Sequence, residues 1–238
     1  MDSLLARAER LLDVDVDAAE GLFREVLSIS KNEHRAERGL AIVWLIRADA
    51  DKAIKRARKA IKKDKRNSEY HMLLANAYGM KAQRGGLNAM FYGGKYKKEC
   101  ELAIKYDPEN VDAHFGLLYY YAYAPSIAGG GEKKAAEAVR AIASLDPFAG
   151  AIAEAFWAEQ NEDDATAEAG FRAFIEAGEE HGEVTVASAH WRLGHVLEKA
   201  GRLPEAVIEW ETAVSLDAEH ERAREALARA AESREGTR

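Results

Sequence analysis

Residues 190–213 read HWRLGHVLEKAGRLPEAVIEWETA, and the spacing of Ala206, Trp210 and Ala213 within them decides how the rest of the chain is divided. The same i, i+4, i+7 set recurs upstream at Ala167, Phe171 and Phe174, and at Ala135, Val139 and Ile142. It returns at Tyr96, Cys100 and Ala103, at Ala53, Ala57 and Ala60, and first of all at Ala19, Phe23 and Val26. Counted from the amino terminus, the last members of successive sets lie 34, 43, 39, 32 and 39 positions apart. Repetition at this period is the signature of stacked helix pairs, none of which can bury its apolar face alone.

Each set opens a segment with apolar residues at helical spacing. Ala53, Ile54, Ala57, Ala60 and Ile61 share one face, while Lys52, Lys55, Arg56, Lys59 and Lys63 lie opposite. Small residues on the shared face let two helices approach closely. The four prolines, Pro108, Pro125, Pro147 and Pro204, all fall at expected element boundaries, where proline can start a helix but not continue one. The pattern predicts an all-α chain.

The run Trp191-Arg192-Leu193-Gly194, then Leu197, Ala206, Trp210 and Ala213, resembles a tetratricopeptide repeat. Leu74-Ala75 with Tyr78 and Ala103 to Pro108 resemble another, as do His114, Leu117, Leu118, Tyr121 and Leu145-Asp146-Pro147. The resemblance implies a single right-handed superhelical solenoid of about six helix pairs, spanning 1–33, 34–67, 68–110, 111–149, 150–182 and 183–217, with a capping helix over 218–233. The sequence departs from the family in two ways. Histidines (His71, His114, His190) replace the large aromatic of the first helix, and the closing proline is lost at Lys65, Glu179 and Ala218.

Two repeats carry extra residues between their helices. Residues 79–95 contain Gly85-Gly86, Phe91-Tyr92 and Gly93-Gly94, and residues 122–134 contain Pro125 and Gly129-Gly130-Gly131. Both are expected to be loops on one edge of the array. Gly93-Gly94-Lys95 and Gly131-Glu132-Lys133-Lys134 would each precede a helix, where free N–H groups favour an anion. Neither has the pattern of a nucleotide-binding loop.

In tetratricopeptide arrays the first helices line a groove that holds a peptide. The resemblance places Arg35, Arg38, Ile42, Met72, Asn76, Phe115, Tyr119, Trp191 and His195 in it. An asparagine amide pairs with a peptide backbone in both directions, and aromatics supply broad apolar contact. The lysine and second asparagine that clamp acidic tails in chaperone co-factors are missing from the matching positions. The expected function is a non-catalytic scaffold or adaptor with a protein or peptide ligand. The alternatives are a small-molecule receptor, with its pocket under the two insertions and Phe91-Tyr92 closing over Phe115 and Tyr119, and a self-assembling structural protein.

Composition narrows the partners. The net charge of −7 over 238 residues argues against nucleic acid. The longest apolar run, Leu40 to Ile46, is too short to span a bilayer, and Met1-Asp2-Ser3 opens a charged segment rather than a signal peptide, so neither a membrane nor export is expected. Cys100 is the only cysteine and falls in a packing slot. These features predict a cytoplasmic protein without metal or cofactor. The seven histidines form no metal-ligand pattern, and His71, His114 and His190 occupy packing slots. No acid, base or nucleophile constellation points to an enzyme. Between Arg47 and Arg66 there are ten basic and three acidic residues, whereas 151–183 holds ten acidic residues and one arginine, Arg172. Both are expected as solvated faces. Glu162-Asp163-Asp164 would favour a helix start.

Overall fold

The computed structural model describes residues 1–178 and 185–235. Its contacts cluster into two compact units, Met1–Gly131 and Glu132–Arg238, so the division falls inside the expected fourth repeat. The first unit contains α1 (Asp2–Leu11), α2 (Val16–Ile29), α3 (His34–Ile46), α4 (Ala50–Lys63), α5 (Ser68–Ala82), α6 (Gly86–Tyr106) and α7 (Val111–Tyr123), then a 3-10 turn over Ser126–Ala128. The second contains α8 (Glu132–Leu145), α9 (Pro147–Gln160), α10 (Asp164–Ala177), α11 (Val186–Lys199), α12 (Leu203–Leu216) and α13 (Glu221–Glu235). No strand occurs among the described residues. Among them, no helix is long and apolar enough to cross a membrane. The position of Glu179, one of the lost closing prolines, lies outside the described residues.

Side-chain caps set many of the helix starts. Asp49 accepts from Lys52 N at 3.0 Å, Asn67 from Tyr70 N at 3.1 Å and Asn110 from Ala113 N at 2.9 Å. Asp146 accepts from Phe148 N and Ala149 N with Pro147 as the first helical residue, and Asp163 starts α10 by accepting from Thr166 N. Each such cap contributes about 1 kcal/mol.

The repeating sets form the cores. Ala19, Phe23, Val26, Ala53, Ala57, Ala60, Cys100 and Ala103 are fully buried in the first unit, as are Ala135, Ile142, Ala167, Ala206, Trp210 and Ala213 in the second. Only Tyr96 and Val139 keep partial exposure. Glycine matters where the first helices meet the large members of these sets. A Cβ on Gly39 would stand 2.2 Å from Phe23 Cζ, and one on Gly194 would stand 2.4 Å from Trp210 Nε1. Neither ring can be accommodated beside a larger residue.

The first insertion is not a loop. Helix α5 runs on to Ala82 and α6 begins at Gly86, so residues 79–95 are almost entirely helical. Tyr92 faces α5, its ring 6.0 Å from Tyr78 and nearly parallel to it, and Lys81 reaches Asp51 at 2.5 Å. The Tyr92 contact works against the roughly 1 kcal/mol that each interior glycine costs a helix. Gly93 and Gly94 therefore lie within α6, and no anion site forms at a helix start there. The second insertion does leave the helix. Gly131 N donates to Tyr121 O at 2.9 Å, Tyr120 Oη donates to Ala128 O at 2.6 Å, and a Cβ on Gly130 would collide with Ala124 O.

Candidate functional site

The expected groove residues fall into two groups, one per unit. In the first unit Arg35, Arg38 and Ile42 share a face of α3, Met72 and Asn76 lie one turn apart on α5, and Phe115 and Tyr119 lie one turn apart on α7. In the second, Trp191 and His195 lie one turn apart on α11. Arg38, Met72, Phe115 and Trp191 occupy one slot of their helices, and Ile42, Asn76, Tyr119 and His195 the slot four residues on.

On α3 an open cleft of about 450 Å³ is lined by Glu9, Leu12, Arg35, Arg38, Glu69 and Tyr70. Arg38 bridges two neighbouring first helices, from Nη1 to Glu9 Oε1 at 3.3 Å and from Nε to Glu69 Oε1 at 2.5 Å. Arg35 donates through Nε to Glu33 Oε1 at 2.9 Å and through Nη2 to Asp2 Oδ1 at 2.8 Å. The hydrogen bond from Arg35 holds the Glu33 carboxyl below the usual range, and Glu33 with Asp2 pushes the guanidinium still further up. Behind them His34 Nδ1 pairs with Tyr70 Oη at 2.6 Å, and burial raises the Tyr70 phenol. The cleft is therefore lined by arginines already shared among carboxylates.

Further along the same first helices, Ile42 is half-buried against the cores on both sides of α3. Met72 and Asn76 are half-exposed, and the Asn76 amide has no hydrogen-bond partner among the described residues. Phe115, expected to face a ligand, is only 5% exposed; its ring packs 6.1 Å from that of Tyr119, which stays half-exposed. In the second unit Trp191 is a packing residue. It lies against the core that holds Leu193 and Trp210, stacks on His195 at 6.5 Å, and meets His220 at 6.0 Å and the Arg222 guanidinium at 5.2 Å.

The histidine slot proves structural in a specific way. His71 lies between Glu99 Oε2 at 2.7 Å and Lys65 O at 3.1 Å, His190 meets Glu209 Oε2 at 2.6 Å, and His114 meets Pro108 O at 2.9 Å. The equivalent residue of α3 is Glu37, buried and held by Arg56 at 2.9 Å and Lys59 at 3.0 Å. A polar pair thus ties first helix to second at the same place in three repeats. Sequence reading missed these partners, although Glu37–Arg56 and His190–Glu209 share one separation of 19 residues, which the nine-residue insertion lengthens to 28 for His71–Glu99. Part of the basic run is consequently not solvated, because Arg56 and Lys59 serve Glu37, Arg47 serves Glu20 and Asp17, and Arg58 serves Tyr78. A second buried acid, Glu159, pairs with Arg192 at 2.6 Å. Cys100 is buried, and no group of three or more metal-ligating side chains occurs among the described residues.

No protein-family model matches the sequence, and no curated protein resembles it. Solved structures do. TTC0263, a thermophilic TPR protein of Thermus thermophilus, is 16% identical with a TM-score of 0.55, covering 96% of this chain and 97% of its own. Pseudomonas aeruginosa pilF is 16% identical with a TM-score of 0.60, covering 96% of each chain. Human IFIT1, solved as a dimer with m7Gppp-AAAA, is 18% identical with a TM-score of 0.61 over 91% of this chain and 55% of its own. The chain therefore has the tetratricopeptide-repeat fold, an all-α array of successive helix pairs.

Proposed function

We propose that the chain is a non-catalytic cytoplasmic adaptor that binds a peptide or protein segment along the first helices of residues 1–131. The observation that carries this reading is the half-exposed Asn76 amide, which has no hydrogen-bond partner among the described residues and follows Met72 on α5, the helix that packs against α3 and its arginine cleft. An amide of this kind pairs with both the C=O and N–H of a passing backbone. Arg35, Arg38, Ile42 and Tyr119 supply the remaining contacts. Arg38 can exchange an exposed carboxylate partner for one on the ligand at little cost, because surface ion pairs contribute only about 0–1 kcal/mol.

Trp191 is assigned to packing rather than to the ligand, since it lies on the core of its unit and meets His220 and Arg222, and His195, its side chain 40% exposed, is left out with it because it stacks on that ring. The small-molecule alternative loses its lid, because Phe91 and Tyr92 belong to α6 and Tyr92 faces Tyr78 instead of closing over Phe115. Net charge is a weaker argument against nucleic acid than the sequence implies, given that IFIT1 shares the fold and was solved with m7Gppp-AAAA.

The test is affinity capture from source-cell lysate, comparing wild type with the Asn76→Ala/Tyr119→Ala double variant. A protein retained by the first and lost by the second, with helical content unchanged, supports the adaptor. Equal retention of every protein by both would refute the site.

A further inference from the structure

The exposed apolar side chains are not evenly spread. Of the twelve large ones among the described residues, Leu87, Met90, Phe91, Tyr123 and Ile127 fall in two short stretches, the start of α6 and the end of α7 with its following turn. Leu87 is 85% exposed, Met90 80% and Ile127 98%. The two stretches are joined through Tyr120. A Cβ on Gly93 of α6 would lie 3.6 Å from the Tyr120 ring, and Tyr120 Oη donates to Ala128 O beside Ile127. Gly93 is six residues from Leu87, about 9 Å along the helix axis.

Charge within the stretch from the end of α5 into α6 is of one sign, with Asp51 of α4 reaching only Lys81. Residues 80–98 contain five basic residues and no acid, in a chain whose net charge is −7. Lys81 is paired with Asp51 and Lys97 with Glu101. Arg84, Lys95 and Lys98 have no carboxylate partner among the described residues. Leu87, Phe91, Lys95 and Lys98 follow one another on the same side of α6. The Lys95 ammonium lies 3.6 Å from the Phe91 ring centre. The face thus runs from apolar at its exposed start to cationic one to two turns later.

We infer that this end of the first unit is a peripheral membrane contact, in which Leu87, Met90, Phe91 and Ile127 enter the headgroup region of an anionic bilayer while Arg84, Lys95 and Lys98 meet its phosphates. Side chains this exposed protrude, and a bilayer receives protruding apolar groups without a complementary groove. Cations without a carboxylate partner beside them select an anionic surface, which the cytoplasmic leaflet presents. This is contact with the surface, distinct from spanning, and it departs from the sequence-based expectation of no membrane partner. It is independent of the ligand face on α3 and α5.

The test is flotation of the full chain with phosphatidylcholine vesicles with and without phosphatidylglycerol. Wild type is expected to float with the phosphatidylglycerol vesicles alone and to be released as salt is raised. Leu87→Glu/Met90→Glu/Phe91→Glu should weaken partitioning at least about tenfold, since each lost apolar anchor alone is worth roughly that factor. Ile208→Glu, a charge at an exposed apolar residue elsewhere, should change nothing. Lys95→Glu/Lys98→Glu should abolish the preference for anionic lipid, with helical content intact in every variant. Failure of wild type to float, or equal flotation of the triple glutamate variant, overturns the proposal. So does a wild-type oligomer, seen by light scattering, that the triple variant dissolves, because the face would then belong to a second copy of the chain.

Discussion

The first helices α3 and α5 and the first helix α11 carry equivalent slots but use them differently. In the slot of Arg38 and Met72 the side chains border an open cleft or stay half-exposed, and four residues on Asn76 has no hydrogen-bond partner among the described residues. In the same slots of α11, Trp191 lies on a core and His195 stacks on it, with His220 and Arg222 closing in from the α13 side. The repeat frame fixes where a side chain points; what stands beside it fixes whether it is available. A slot inherited from the fold is therefore a candidate for binding only where the next element leaves it uncovered.

The largest expected effect lies on the covered side. Trp191→Ala should destabilise the Glu132–Arg238 unit by about 2–3 kcal/mol, less than a fully buried tryptophan because the ring is only partly enclosed. Chemical denaturation followed by circular dichroism measures it, and an unchanged midpoint would place Trp191 among the ligand contacts again.

A pH effect comes next. Both neighbours of the His71 ring are acceptors, so the ring is fully satisfied only as the imidazolium. Burial opposes that charge, but the Glu99 carboxylate and the Lys65 carbonyl outweigh it and raise the pKa above 6.5. A raised folded-state value contributes stability that is complete below the unfolded value and is lost as pH rises through the folded one. Thermal stability should accordingly fall from pH 6 toward alkaline pH, and His71→Gln should flatten that decline. A decline equally steep in the variant would assign it to another group.

Arg38→Ala should cost less than about 1 kcal/mol, because its ion pairs with Glu9 and Glu69 are exposed. Asn76→Ala should leave the denaturation midpoint within about 0.5 kcal/mol of wild type, as expected of a surface side chain without partners. A large loss from either would show that the open face is structural after all, and the comparison would collapse.

Much of this was legible in the sequence, for identifiable reasons. The i, i+4, i+7 sets exposed the second-helix cores because a helix-to-helix contact repeats a volume as well as a period; the close approaches of Gly39 to Phe23 and Gly194 to Trp210 emerge only in the structure. The reading failed at residues 79–95, where paired glycines outweighed the helical spacing of Leu87, Met90 and Phe91. Only the stacking of Tyr92 on Tyr78, a contact between residues on different helices, shows that the helix wins. At the candidate site, register places Arg35 and Arg38 on the proposed ligand face. Their carboxylate partners Asp2, Glu9 and Glu69 are not legible in it, because pairing across neighbouring first helices leaves no local pattern. The burial of Phe115 and the covering of Trp191 likewise depend on neighbours that no single repeat encodes.

The most direct measurement is calorimetric titration of a peptide selected from a random display library against wild type, Asn76→Ala and His195→Ala. The account predicts that Asn76→Ala weakens binding about tenfold, the value of one well-placed backbone-pairing side chain, while His195→Ala leaves the affinity unchanged. Unchanged affinity in Asn76→Ala, or a loss confined to His195→Ala, would contradict the assignment of the ligand face to residues 1–131.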